Sequence, residues 1–143
     1  MAVFTPFSSS PDSLVTALLA GNSGITIQAG SVVLAASGVE AVNLYDGSLA
    51  MLGIGAGLLL TSGTTPGTSN TLNWFGTDNG AAGDVDIDAV VNTVFQTQSY
   101  DATTLSFDFT VTDSNATSVS FDLVFGSDEF PEWGAYWGDV AQL

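Results

Sequence analysis

The sequence predicts a mainly β fold, a jelly-roll-like β-sandwich with one short N-terminal helix. Short β-prone runs alternate along most of the chain with clusters of Gly, Ser, Thr and Asn, which is typical of strands joined by turns. The 143 residues are 45% apolar and 10% aromatic, and this composition excludes a disordered acidic tail. Because a chain of this length can bury one sizeable core, residues 1–143 are predicted to form a single domain.

The N-terminal helix is the most clearly marked element. Ser10 suits the N-cap, Pro11 suits the first helical position, and Asp12 suits the positive end of the helix dipole. Apolar residues then recur at helical spacing, at Leu14, Val15, Leu18 and Leu19. Gly21 is suited to end the helix.

All elements after this helix are predicted to be strands and turns. Five β-prone runs follow it, at residues 25–29, 31–36, 39–45, 58–62 and 71–75. Farther along, the alternating runs 105–111 and 119–125 are predicted to form a hairpin through the turn residues 113–116. A pairing centred on that turn sets Asp108 opposite Asp122, so either the register is offset by two residues or a cation or water layer covers the pair.

The charge of the chain excludes most functions. It contains no lysine, arginine, histidine or cysteine, and its 15 acidic residues give a net charge of −15. Nucleophilic catalysis that needs those residues is excluded, and so is nucleic-acid binding, which depends on basic side chains. Membrane insertion is not expected, because the longest apolar stretch, residues 49–60, is too short to span a bilayer. A glycosidase using Asp128 and Glu132 is the one hydrolytic chemistry left, and we predict that the protein is not an enzyme.

No side chain can neutralise these carboxylates, so the counter-charge must come from outside the molecule. Carboxylate and carbonyl oxygens favour a hard cation such as Ca²⁺. Twelve of the fifteen acidic residues lie between Asp78 and Asp139. The sequence therefore predicts bound Ca²⁺ in this part of the chain, and the alternative is that the carboxylates only confer solubility.

The first candidate Ca²⁺ site has carboxylates at three alternate positions, Asp84, Asp86 and Asp88. On a strand their Cα atoms would be about 6.6 Å apart on one face, too far for all three to bind one ion, whereas a loop would wrap around the ion. An EF-hand is excluded, because Ala89 and Phe95 stand where that loop requires Gly and Glu. Two interpretations stay open, a cation-binding loop and a solvated strand face with Val85 and Ile87 pointing inward.

The second candidate Ca²⁺ site has four carboxylates within twelve residues, Asp128, Glu129, Glu132 and Asp139. This segment leaves a strand and turns at Pro131, so it combines mobility with a high density of oxygen ligands. Its aromatic residues either cover such a site or belong to a core or an interface; they are Phe130, Trp133, Tyr136 and Trp137.

The same segment carries a family resemblance. Residues 125–133, FGSDEFPEW, with GDV at 138–140, resemble the F-x-S-E-E-[YF]-P-E-[YF]…N-D-V signature of the choice-of-anchor L domain. Other segments resemble that family in the same order, at residues 14–19, 24–27, 57–63, 83–88, 105–109 and 119–123. The resemblance implies a β-rich, non-catalytic, extracellular module of bacterial surface or secreted proteins. Asp128 replaces the usual Glu, and the chain stops at Leu143, whereas family members usually continue through further strands.

A sheet cut off at Leu143 would expose an unpaired edge that no lysine protects. Another copy of the chain can supply the missing strands, and a head-to-tail contact of this kind propagates into a filament. We therefore expect an extracellular structural subunit that assembles with copies of itself into a Ca²⁺-stabilised filament or surface layer. The alternative is a monomeric cell-surface adhesion or glycan-binding module, with a sugar platform formed by Asn73, Trp74, Trp133, Tyr136 and Trp137.

Overall fold

The structure, a computed structural model, describes residues 3–19, 24–67 and 77–127. Within these ranges it contains seven strands, two short α-helices and one 3₁₀ turn. In chain order they are β1 Phe4–Pro6, α1 Pro11–Leu18, β2 Ile25–Ile27, β3 Val33–Ala35, β4 Val42–Tyr45, the 3₁₀ turn Ala50–Leu52, β5 Gly57–Leu60, α2 Val85–Phe95, β6 Thr104–Ser106 and β7 Phe109–Val111. Every pairing between these strands is antiparallel, which confirms the predicted β-rich class. The two-layer packing of a sandwich stays a prediction.

The largest sheet has the strand order β1-β4-β5. Its central strand, β4, places Val42 opposite Leu60 and Tyr45 opposite Phe4. The rings of Phe4 and Tyr45 lie 5.6 Å apart, and Val42 and Tyr45 are buried. Helix α1 packs against β5, so the core of the described part forms between this sheet and the helix.

Helix α1 confirms the first predicted element. It begins at Pro11, with Ser10 in extended conformation at the N-cap, and it ends at Leu18. The Ser10 side chain makes no capping bond; instead, the hydroxyl of Ser13 donates to the carbonyl of Ser10 at 2.7 Å. Gly21, which the sequence favoured as the end of the helix, lies outside the described residues.

The predicted hairpin between residues 105–111 and 119–125 is wrong. The first run is split into β6 and β7, which pair with β3 and β2 respectively. The split occurs at Asp108, whose amide donates to the hydroxyl of Ser31 at 2.9 Å and whose carbonyl accepts from Gln28 at 2.8 Å. These bonds join the run to the N-terminal half of the chain, so its partners are distant in sequence. Among the described residues, no strand is assigned to 119–125.

The prediction that only strands and turns follow the first helix is also wrong. Residues Val85–Phe95 form α2, and the segment with alternating acidic residues is the start of that helix. Asp84 is the N-cap, and the following carboxylates occupy the first turn, where the helix dipole favours negative charge. Val85 does not point inward, because it is 79% exposed, whereas Val91 is the buried residue of this helix.

Replacing Leu14 tests this packing. Leu14 is fully buried, so Leu14→Ala should lower the free energy of unfolding by about 2–5 kcal/mol. The matched control is Leu18→Ala in the same helix, where the side chain is 40% exposed and the loss should be less than half as large. Urea denaturation followed by circular dichroism measures both values. Equal losses at the two positions would contradict the packing of α1.

Candidate functional site

The first candidate Ca²⁺ cluster surrounds the start of α2. Oδ1 of Asp84 accepts hydrogen bonds from the amides of Asp86 and Ile87, at 2.9 and 3.4 Å. Oδ1 of Asp88 accepts from both the amide and the hydroxyl of Ser99. Asp86 is exposed, while Asp84 and Asp88 are half-buried. Two of the three carboxylates are therefore already bound to donors of the protein itself.

Metal binding by this cluster stays a prediction. In residues 3–19, 24–67 and 77–127, no three acidic side chains converge in a way that could hold a metal ion. Each carboxylate bonded through Oδ1 keeps its second oxygen, which suits a shared or bridging cation better than an enclosed one.

Ser99 holds the base of α2 to the chain that returns from it. Its hydroxyl accepts from the amide of Asp84 at 2.9 Å, and the neighbouring residue Tyr100 forms an isolated antiparallel bridge with Ala82. A Cβ atom at position 83 would collide with the carbonyl of Ser99, so Gly83 is required for this close approach. The Ala82–Tyr100 bridge thus joins the segments that precede and follow α2.

An open cleft of about 550 Å³ lies beside α2 and the segment that follows the helix. Its polar and aromatic lining consists of Asp88, Asn92, Gln96, Thr97, Gln98 and Tyr100. The Tyr100 ring is 64% exposed. This cleft was not predicted from the sequence. Its lining comes from α2 and the segment that follows it, and the alternating acidic residues at the start of α2 are typical of a strand.

Asp101 is a buried carboxylate that was not predicted from the sequence. Its Oδ1 accepts from the amide of Ala81 at 2.6 Å, and its Oδ2 accepts from the amide of Asn79 at 2.9 Å. The Asn79 side chain in turn donates to the carbonyls of Ser62 and Gly63, at 3.0 and 3.2 Å. Asp101 thereby joins three separate segments of the chain. The surrounding residues, SYDATT, are almost all polar and give no signal that this position is buried.

Thr103 extends these bonds into a polar network. Its Oγ1 accepts from the amide of Ser37 at 3.0 Å and donates to the carbonyl of Thr61 at 2.8 Å. No buried side-chain nitrogen or oxygen in the described ranges lacks a hydrogen-bond partner. The network is therefore fully satisfied, which is the condition under which buried polar groups stabilise a fold.

Residues 119–125, here called the exposed segment, carry apolar side chains at alternate positions. Val119, Phe121, Leu123 and Phe125 are between 40% and 60% exposed. The segment pairs with none of the strands in the described part of the chain. Large apolar groups that alternate in this way are typical of a strand with one face against a core or a partner.

Two groups of predicted site residues lie outside the described residues. One is the second candidate Ca²⁺ site, formed by Asp128, Glu129, Glu132 and Asp139. The other is the predicted sugar platform, formed by Asn73, Trp74, Trp133, Tyr136 and Trp137. Both stay predictions.

The sequence model of the Choice-of-anchor L domain matches residues 4–142. The chain belongs to the choice-of-anchor L family. This membership confirms the resemblance carried by residues 125–133 and indicates a surface-associated bacterial module; the family is of a non-catalytic type. No curated protein and no solved structure matches the chain significantly. In the described residues of this choice-of-anchor L protein, no helix is long and apolar enough to cross a membrane.

Replacing Asp101 tests the polar network. Asp101→Asn puts an NH₂ group where a carboxylate oxygen accepts a backbone N–H, so two donors face each other and the free energy of unfolding should fall by about 1–3 kcal/mol. The matched control is Asp108→Asn, which removes the same charge at an exposed side chain and should change stability by less than about 0.5 kcal/mol. Urea denaturation at neutral pH compares the two, and similar losses would contradict the role of Asp101.

Ser99 should control the titration of Asp88. Hydrogen bonds from the Ser99 hydroxyl and then its amide lower the pKa of Asp88 below its ordinary value of 3.8. Because the folded-state pKa is depressed, the stabilisation is present above the unfolded pKa and is lost as the pH falls through the folded one. In Ser99→Ala the pKa should rise towards its ordinary value. NMR titration of the Asp88 carboxyl carbon measures it, with Ser114→Ala as the control; an unchanged pKa in Ser99→Ala would refute this coupling.

Proposed function

We propose that this protein is an extracellular, non-enzymatic structural subunit that joins copies of itself head to tail into a filament or surface layer stabilised by Ca²⁺. The observation that carries the proposal is the exposed segment, because its alternating apolar side chains have no strand partner in the described part of the chain. Membership of a surface-associated bacterial family supports the location.

Strand addition provides a partner for the exposed segment. An extended segment can join the edge of a sheet in another molecule, where the backbone bonds give affinity and alternate side chains give specificity. The acceptor that we propose is the outer edge of β7, Phe109–Val111. In the described structure β7 pairs only with β2, and all three of its residues are exposed. The chain has no lysine to protect such an edge.

Charge favours pairing between copies over pairing within one copy. A hairpin centred on residues 113–116 would set Asp108 opposite Asp122, and like charges directly opposite each other are destabilising, so a hairpin would need a register offset that the short turn disfavours. Between two copies no turn fixes the register, so the strands are free to shift by two residues and separate these carboxylates. The exposed segment of one subunit therefore suits β7 of the next subunit better than its own.

Ca²⁺ enters the proposal because subunits of charge −15 repel one another. The carboxylates proposed to bind it are those of the two candidate sites, Asp84, Asp86, Asp88, Asp128, Glu129, Glu132 and Asp139. Asp86 supports this assignment, since its exposed side chain forms no hydrogen bond with the described residues. A cation shared between subunits would neutralise charge where the repulsion is strongest.

Sedimentation and negative-stain microscopy test the assembly. The protein should form filaments or sheets in millimolar CaCl₂ and should dissociate in EDTA. Phe121→Ser with Leu123→Ser should raise the concentration needed for assembly by at least about tenfold, because the two side chains lose their apolar contact area. The matched control is Val90→Ser with Val94→Ser, which removes two exposed apolar side chains from α2 and should leave assembly unchanged.

The outcomes separate the two parts of the proposal. A monomer at every Ca²⁺ concentration would refute self-assembly. Filaments that persist in EDTA, or that form in physiological NaCl without Ca²⁺, would show that charge screening suffices and would refute the metal part. Equal loss of assembly in both double variants would show that the exposed segment is not the contact.

A further inference from the structure

We infer that the cleft beside α2 is a binding site for an uncharged saccharide. The inference does not depend on self-assembly: the cleft shares no residue with the exposed segment or with β7, and Asp88 is the one residue that it shares with the candidate Ca²⁺ sites. The cleft has a volume of about 550 Å³ and is largely open to solvent, so a ligand would lie along its lining and not inside an enclosed cavity.

The lining has the chemistry that recognises hydroxyl groups. Asn92, Gln96 and Gln98 each present a side-chain amide, which offers donors and an acceptor together. Sugar hydroxyls also donate and accept, so amides match them in either orientation. The exposed ring of Tyr100 provides an apolar surface for the C–H face of a sugar ring.

Three features fix the backbone and the carboxylate of the lining before any ligand binds. Asn92 lies in the last turn of α2 and Gln96 directly follows the helix, and both residues line the cleft. Gln96 has a left-handed backbone, with φ of 54°, which ends the helix and directs the chain back beside it. The Asp88 carboxylate is held by Ser99, and the Tyr100 backbone is held by its bridge to Ala82. A preformed lining reduces the entropy lost on binding.

The charge of the site excludes other ligand classes. An anionic sugar or a phosphate would meet the Asp88 carboxylate and a chain without any basic side chain. Asp88 is the one carboxylate in the lining, too few to hold a metal ion inside the cleft, whereas a Ca²⁺ ion shared between subunits would take its other ligands from outside the cleft. An apolar ligand would leave the amides without partners. A neutral ligand rich in hydroxyl groups fits the lining on all three counts.

NMR titration of the full chain in EDTA tests the inference under conditions that suppress Ca²⁺-dependent assembly. The probes are maltotriose, cellotriose and triacetylchitotriose as neutral saccharides, trigalacturonate as an anionic one, and trialanine as a peptide. At least one neutral trisaccharide should shift the side-chain amide signals of Asn92, Gln96 and Gln98 in a saturable way. Trigalacturonate and trialanine should leave these signals unchanged.

Variants assign the binding to the cleft. Tyr100→Ala should raise the dissociation constant by at least about tenfold, because the ring surface is lost. The dissociation constant of Tyr100→Phe should stay within about threefold of that of the original protein. Gln98→Ala provides a second test at an exposed position, and Gln28→Ala is the matched control, an exposed amide outside the cleft lining. The same spectra show whether each variant is folded.

Three outcomes would overturn the inference: no neutral trisaccharide shifts these amide signals at millimolar concentration, binding is as strong in both Tyr100→Ala and Gln98→Ala as in the original protein, or trialanine or trigalacturonate binds the cleft more tightly than every neutral probe.

Discussion

The described structure depends on backbone N–H groups as hydrogen-bond donors to carboxylates, because the chain has no basic side chain to take that role. Within the described ranges, six carboxylates accept such bonds, those of Asp46, Asp78, Asp84, Asp88, Asp101 and Asp113. At Asp46, Asp78 and Asp113 the donor is two residues farther along, so the carboxylate also fixes a turn. These bonds satisfy the oxygen atoms and leave the net charge of −15 unchanged. Two copies of the folded subunit therefore repel each other at close approach unless external cations screen the charge.

Polar contacts also connect segments that are distant in sequence. In the described ranges the buried apolar residues are few: Leu14, Val15, Ala41, Val42, Tyr45 and Val91. The two small sheets and the polar network around Asp101 join parts of the chain that lie far apart in sequence. Such bonds are directional and specify one arrangement, but each contributes only about 1 kcal/mol net. The stability of such a fold increases proportionally more when a neighbouring copy covers exposed apolar surface.

The sequence predicted those elements whose signals are local. Helix α1 was predicted because Ser10, Pro11 and the leucine spacing agree, and the runs containing β2 to β5 were predicted from β-prone residues between turns. Helix α2 was not predicted, because acidic residues at alternate positions are also the pattern of a strand. In the structure Asp84 caps the helix instead, by accepting hydrogen bonds from the first helical amides. Alternation identified residues 105–111 as strand-forming but not their partners, which lie more than 65 residues away. The burial of Asp101 depends on contacts with Asn79 and Ala81, which lie about 20 residues earlier in the chain and which no local pattern identifies.

The high negative charge of the chain makes the proposed assembly depend on the ions around it. Pairing of the exposed segment with β7 of another copy gains apolar contact and backbone bonds, while repulsion between two polyanions opposes it. The repulsion acts over about one Debye length and changes with the cations present, whereas the contact energy does not. The balance therefore shifts with the Ca²⁺ concentration. Subunits of this kind would stay apart where free Ca²⁺ is scarce, as inside a cell, and would join where it is abundant, at the cell surface.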